Sequence, residues 1–291
     1  MLCLCQNAVK MFAMNRSISV LSHLESIFRN IQQAVTAGEV GSTREPTRNA
    51  KGDSVKWFDL AADEATCSYL KDYFPCSVVL LSEEGSPREF GSGQPEFTVV
   101  LDPVDGSDNF ARGIWPAGTA VALIPYSSPI SVETVQYALV GNLITGQICT
   151  AEQGNGAFCN GNQIRSGPCN DVKRAMISCE MNHFAVRAPL AGVLSRARGV
   201  RTLGCATQAI TLVASGSIDA HLDLRGRLTP ENFLAPSLIL TEAGGTISGP
   251  EGEPIPDITD LTQRFSIIAS SSPELHAVLV EQLKVCTTVC T

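Results

Sequence analysis

The chain has 291 residues, of which 44% are apolar and 17% charged, enough apolar material for a large core and too little charge for a disordered chain. Lys and Arg number 21 against 29 Asp and Glu, for a net charge of -8 with no basic block. This excludes a nucleic-acid partner, because affinity for a phosphate backbone needs clustered positive charge. An anionic substrate is repelled by such a protein unless a bound divalent cation reverses the sign locally.

The chain opens on Met1 to Asn15, mildly apolar with one Lys and too short to span a bilayer, so residues 1–16 are expected as a loose extension. No other segment reaches the roughly 18 uninterrupted apolar residues of a membrane helix, so no membrane association is expected. From Ser17 to Thr36, Ile18, Leu21, Leu24, Ile27, Phe28, Ile31 and Val35 keep helical spacing. Gly41 to Asp53 is polar, contains Pro46 and reads as an exposed loop. A helix is predicted from Trp57 to Phe74, stopped at Pro75, and an apolar run from Ser77 to Leu81 fits a buried strand that ends on Glu83 and Glu84. The next strand, Phe97 to Leu101, also ends on a carboxylate, Asp102.

Strand-like runs follow at Gly118 to Ile124, Thr134 to Val140 and Gly146 to Ala151. The second half alternates: a strand near Ala175, helices near Ala188 and Gln208, a strand from Ile218, a helix to Glu242, a strand at Phe265 and a helix from Pro273. Residues 17–291 are expected as one domain with two lobes, about 17–170 and 171–291. The eleven cysteines are an odd number with no C-x-x-C pair and no His at zinc-finger spacing. They read as free thiols in a reducing, cytoplasmic compartment, with Cys67, Cys149, Cys179 and Cys205 as small buried hydrophobes. His183 and His221 are isolated and read as surface or packing residues, and Trp57 and Trp115 as core or pocket-wall residues.

Chemistry concentrates in Leu101 to Phe110, LDPVDGSDNF. Pro103 fixes its own φ and discourages helix at Asp102, so Asp102 and Asp105 can turn toward one point. Hard cations such as Mg²⁺ prefer such oxygen ligands. Gly106 allows close backbone approach, and the amides that follow can hold a phosphate if a helix begins there. An acidic turn by itself also reads as a plain loop.

Together with LSEEG at Leu81 to Gly85 and LTEAGG at Leu240 to Gly245, this segment resembles the inositol monophosphatase family. The pattern of that family is an E-E pair after a strand, then D-P-hydrophobic-D-G-(T/S)-x-N-F, then a late helix into E-A-G-G. Gly154 to Gly161 and Leu203 to Gly216 extend the likeness, and LDLRGRL at Leu222 to Leu228 is most similar to the archaeal branch, whose members often act on both inositol phosphates and fructose bisphosphate. The resemblance implies an α/β fold, a layered α/β/α/β/α sandwich, and a homodimer. It implies a phosphomonoesterase for a small polyol or sugar phosphate with two or three Mg²⁺ per site. Glu83, Asp102, Asp105, the Val104 carbonyl and the position of Asn232 would bind metal. Asp59 and Ser107 would activate water, with Asp63 the alternative to Asp59. Gly106 and Ser107 would hold phosphate, and Asp223, Arg225, Cys205 and Ala206 would contact substrate.

The chain departs from the family where an Asp is usual and Asn232 stands, preceded by Glu231. An amide brings a ligand oxygen without charge. Asn232 also reads as a capping partner of Thr229 and Pro230 at a helix start, and Pro236 predicts a kink in that helix. A binding or regulatory protein with little turnover is the alternative that these two residues raise.

Overall fold

The computed structural model describes the backbone of residues 2–37, 47–48 and 54–284, with side chains for 20–37 and 56–284. In chain order the elements are α1 (Leu2–Ala37), β1 (Thr47–Arg48), β2 (Ser54–Val55), α2 (Trp57–Asp72), β3 (Val78–Ser82), β4 (Arg88–Phe90), β5 (Phe97–Asp105), α3 (Ser107–Ala111), β6 (Gly118–Pro125), β7 (Tyr137–Asn142), β8 (Ile148–Glu152), β9 (Gly156–Cys159) and β10 (Asn162–Gln163). The second half holds β11 (Met176–Cys179), α4 (Ala188–Arg196), β12 (Gly199–Arg201), α5 (Ala206–Ala214), β13 (Ala220–Leu228), α6 (Pro230–Glu242), β14 (Thr246–Ser248), β15 (Phe265–Ser270) and α7 (Pro273–Lys284).

Eight strands form one sheet in the order β10-β9-β8-β7-β6-β5-β3-β4, and five form another in the order β12-β11-β13-β15-β14. Alternation along the strands decides what each face packs against. Val99 and Leu101 of β5, with Val121 and Leu123 of β6, pack with Leu24, Phe28 and Ile31 of α1 and Ala62 of α2. Val100, Ala120 and Ala122 point the other way, into a cluster with Ile210 of α5, Phe233 and Leu234 of α6 and Ile267 of β15. The outer face of the smaller sheet carries Ile177, Leu222 and Ile268 against Val193 of α4 and Leu275 of α7. The five layers are therefore α1/α2, the large sheet, α5/α6, the small sheet, and α4/α7. This is the expected α/β/α/β/α sandwich.

Helix α1 starts at Leu2, so the stretch expected as a loose extension continues the helix that the apolar spacing predicts from Ser17. The loop expected over 41–53 lies almost wholly outside the described residues. Helix α6 runs unbroken through Pro236, whose missing N–H leaves the Asn232 carbonyl without its partner four residues on. The free-thiol expectation fails at Cys149 and Cys159. These face each other across the β8–β9 pair and are joined by a disulfide, whereas Cys67, Cys169, Cys179 and Cys205 are free thiols. The register of β8 against β9 sets them opposite each other, and β9 is one of the strands that sequence reading missed. No helix among the described residues is long and apolar enough to cross a membrane.

Candidate active site

The site is built where β3 and β5 run parallel and end together. Ser82 pairs with Leu101, and the Glu83 N–H donates to the Leu101 carbonyl at 3.3 Å. Glu83 therefore leaves its strand beside Asp102. Parallel strands direct residues at their C-terminal ends toward one edge, where α/β folds place their ligands.

On its other side β5 is antiparallel to β6. Its register shifts between the pairs Asp102–Ala120 and Asp105–Gly118, so three steps on β5 oppose two on β6. Pro103 explains the place of this bulge, since it has no N–H to give the ladder. Its carbonyl accepts from Thr119 Oγ1 at 2.8 Å. Asp102 is almost fully buried; its Oδ1 accepts the Val104 N–H at 2.9 Å and its Oδ2 the Asn232 Nδ2 at 2.5 Å.

Asp105 ends the bulge and turns toward the start of α5. Its Oδ2 accepts the Thr207 N–H at 2.7 Å and lies 3.2 Å from Cys205 Sγ. Burial raises its carboxyl above the usual range, and the like charge of Glu180 adds to this against the lowering by the Thr207 bonds. Burial and the neighbouring Asp105 also push the Cys205 thiol well up, so it stays protonated and donates.

Gly106 is in the left-handed region, with φ of 77°, and precedes α3. A Cβ there would come within 2.8 Å of the Pro116 carbonyl, so both conformation and space require glycine. The helix that the phosphate reading needs does begin at Ser107. The Ser107 hydroxyl contacts the Val104 carbonyl at 3.0 Å and Asp59 Oδ1 at 3.3 Å. Asp59 is the third residue of α2, and its other oxygen accepts the Lys56 N–H at 2.7 Å. Burial pushes its carboxyl up to about 6, opposed by the Lys56 backbone bond. Asp63, the alternative to Asp59, faces elsewhere: both its oxygens take the Arg88 guanidinium, and Ser82 Oγ donates to it.

Asp223 and Arg225 stand where β13 loses register with β15 and bind each other, Nε to Oδ1 at 2.9 Å and Nη2 to Oδ2 at 2.7 Å. Cys205 and Ala206 open α5. His221 is buried against Ser178 and His183 is exposed, as read from their isolation. Trp115 is 44% exposed, so it is not a core residue.

Among the described residues no three Asp, Glu, His or Cys side chains converge on one point. The donor chemistry nonetheless suits a hard cation: three carboxylates, a carbonyl and an amide, all oxygen. The carboxylates would have to draw together around the ion, and Asn232 would have to turn its oxygen toward it.

A model of the inositol monophosphatase family matches residues 13–288. The chain belongs to this family of phosphoric monoester hydrolases. It is 30% identical over 242 residues to a fructose-1,6-bisphosphatase/inositol-1-monophosphatase of Methanothermobacter thermautotrophicus, covering 81% of this chain and 85% of that protein. Identity to the protein of that name from Thermococcus kodakarensis is 29%, with the same coverage. The extragenic suppressor protein suhB of Bartonella henselae shares the fold, with a TM-score of 0.77 at 24% identity over 91% of this chain and 98% of that one.

Three residues of this inositol monophosphatase family chain escaped the sequence reading. Asn109, the Asn of the D-P-hydrophobic-D-G-(T/S)-x-N-F motif, donates to the Pro116 and Leu203 carbonyls at 2.7 Å each, tying the bulge to the α5 loop. Thr207 supplies the amide for Asp105. Glu180 directly follows β11, accepts the Gly204 N–H at 3.1 Å and lies 3.9 Å from Arg225. The rule that singled out Glu83 and Asp102, a carboxylate directly after an apolar strand, would have found Glu180.

Proposed function

We propose that the chain is a Mg²⁺-dependent phosphomonoesterase that hydrolyses a small polyol or sugar phosphate, inositol monophosphate or fructose 1,6-bisphosphate among them. The observation that carries it is the Ser107 hydroxyl held between the Val104 carbonyl and the buried Asp59 carboxylate, beside Asp102 and Asp105. Glu83, Asp102, Asp105, the Val104 carbonyl and Asn232 would hold the metal, which supplies charge neutralisation at the phosphoryl oxygens and a lowered pKa for water.

The side chains of the protein divide the remaining work. Ser107 orients the attacking water, and Asp59 takes its proton through the Ser107 hydroxyl, for which a carboxyl near 6 is well placed at neutral pH. Gly106 and Ser107 present their N–H groups to the phosphate. Asp223 accepts from a substrate hydroxyl, Arg225 meets a negative or hydroxyl group, and Cys205 and Ala206 form the wall beside them. The relatives named for both inositol and fructose phosphates support this substrate class.

The reading includes a homodimer and a cytoplasmic location. The free cysteines favour a reducing compartment, and the Cys149–Cys159 pair counts against one. Phosphate release from a panel of sugar and polyol phosphates, with Mg²⁺ and with EDTA, tests the activity. Turnover with Mg²⁺ alone is expected; full activity in EDTA overturns it. Substrate binding without turnover would leave the binding-protein reading that Asn232 raises.

A further inference from the structure

Helix α2 buries two carboxylates one turn apart. Asp59 faces Ser107; Asp63 faces the hairpin turn that carries Glu83. Positions i and i+4 share a helix face, so one rigid element reaches both parts of the site.

The turn between β3 and β4 spans residues 83–87 and sits at the sheet edge, because β4 is the last strand and has three residues. Arg88, the first of them, grips Asp63 with both arms of its guanidinium, Nη1 to Oδ2 at 2.6 Å and Nη2 to Oδ1 at 2.7 Å. Ser82, next to Glu83, adds its hydroxyl to the same carboxylate at 2.7 Å. That hydroxyl also accepts the Glu84 N–H at 3.4 Å. Arg88 lies flat under the turn, where a Cβ on Gly85 would stand 3.2 Å from its Nη2. Both ends of the turn are thus fastened to Asp63.

The far side of the turn is open. A cavity of about 230 Å³ separates Glu83, Gly85 and Pro87 from Thr259, Asp260, Leu261 and Thr262. Packing therefore does not fix the turn from that side; on the other, Asp63 restrains it together with the Glu83 N–H bond to the Leu101 carbonyl. Planar two-point binding gives an orientation that a single contact does not.

We propose that Asp63 and Arg88 are positioning residues that set the reach of Glu83 toward the metal, and so the affinity of the site for Mg²⁺. This rests on the reading under Proposed function. Partners of metal ligands typically alter affinity by 10–100-fold.

The test is calorimetric titration of Mg²⁺ into the full chain and its variants, beside thermal melts and turnover at saturating Mg²⁺. Asp63→Asn and Arg88→Met are expected to weaken Mg²⁺ binding by about tenfold or more. Turnover should return to within about twofold of wild type once Mg²⁺ saturates, since the reacting groups are untouched. Arg88→Lys keeps the charge without the fork and should fall between. Arg88 is on an edge strand and partly exposed, so its variants carry the test if Asp63→Asn does not fold. A lower melting temperature with unchanged Mg²⁺ affinity would show a merely structural pair and overturn the proposal. A wild-type chain that binds no Mg²⁺ overturns the metal reading itself, and this inference with it.

Discussion

Asn232, on the first turn of α6, donates from Nδ2 to Asp102 Oδ2 at 2.5 Å, across 130 residues of sequence. Its Oδ1 accepts from Thr229 Oγ1 at 3.0 Å. The residue thus does two things at once: its oxygen takes the Thr229 hydroxyl at the helix start, and its NH₂ stands against the almost fully buried Asp102 carboxylate. Thr229 Oγ1 also contacts Glu231, so the neighbouring acid turns toward the helix start.

Asn232→Asp replaces a donor by a second carboxylate beside Asp102. Without metal the like charges repel, so the apo protein should melt lower. With Mg²⁺ the extra charge favours the ion, and half-maximal activity should need about tenfold less Mg²⁺ if about 1.4 kcal/mol of the interaction survives desolvation. A Mg²⁺ titration of activity and of melting temperature checks both. Unchanged half-saturation would place Asn232 outside the metal shell, as a capping residue only.

Asp59 gives a pH prediction. Its carboxyl is raised from 3.8 to about 6, mainly by burial, and it must be ionised to take a proton. Activity should therefore fall as pH drops through about 6, and kcat/KM should show an acid limb there. Because the fold disfavours the charged form, the ionised side chain costs about 3 kcal/mol of stability at neutral pH, a cost relieved as pH falls below about 6. Asp59→Asn should lose activity by about 10² to 10⁴ and raise the melting temperature at neutral pH. Loss of activity with a lower melting temperature would argue for a capping role instead.

Ser107→Ala tests the other member of the pair. The hydroxyl acts on water, so turnover should fall further than substrate affinity. Equal loss in kcat and in affinity, measured by initial rates and by direct binding, would make Ser107 a substrate contact.

Local chemistry made much of the site legible. Pro103 between two Asp residues announces the bulge, because a proline cannot serve the ladder, and Gly106 announces the left-handed turn into α3. The five layers were implied by the family resemblance, with which the apolar runs of β5 and β6 and the helical spacing in α1 are compatible. What stayed hidden were relationships between distant segments. The Cys149–Cys159 pairing depends on the register of two short strands, the grip of Arg88 on Asp63 on a three-residue edge strand without a periodic pattern, and the role of Glu180 on which strands become neighbours. Asn232 was legible as a departure, but not which atom of its amide would face Asp102.

The E-A-G-G and G-x-G motifs prove to be one structure, and this yields a stability prediction. Glu242, the last residue of α6, accepts the N–H of Gly154 at 2.6 Å with one oxygen and that of Gly156 at 2.7 Å with the other. Both glycines have positive φ, 80° and 86°, so the β8–β9 turn aims its two amides at a single carboxylate. Glu242→Gln keeps size and shape but has one acceptor oxygen, so its NH₂ would face the second amide, donor against donor. A hydrogen bond to a charged group contributes about 1.5 to 3 kcal/mol, and each kcal/mol moves the melting temperature by about 2 to 4 °C in a chain of this size. A fall of several degrees is expected. Glu242 lies ten residues beyond Asn232, about 15 Å along the helix axis, so Mg²⁺ half-saturation should not change. A melting curve and a Mg²⁺ titration on the same variant decide it: an altered Mg²⁺ requirement would mean that the far end of α6 sets where Asn232 stands.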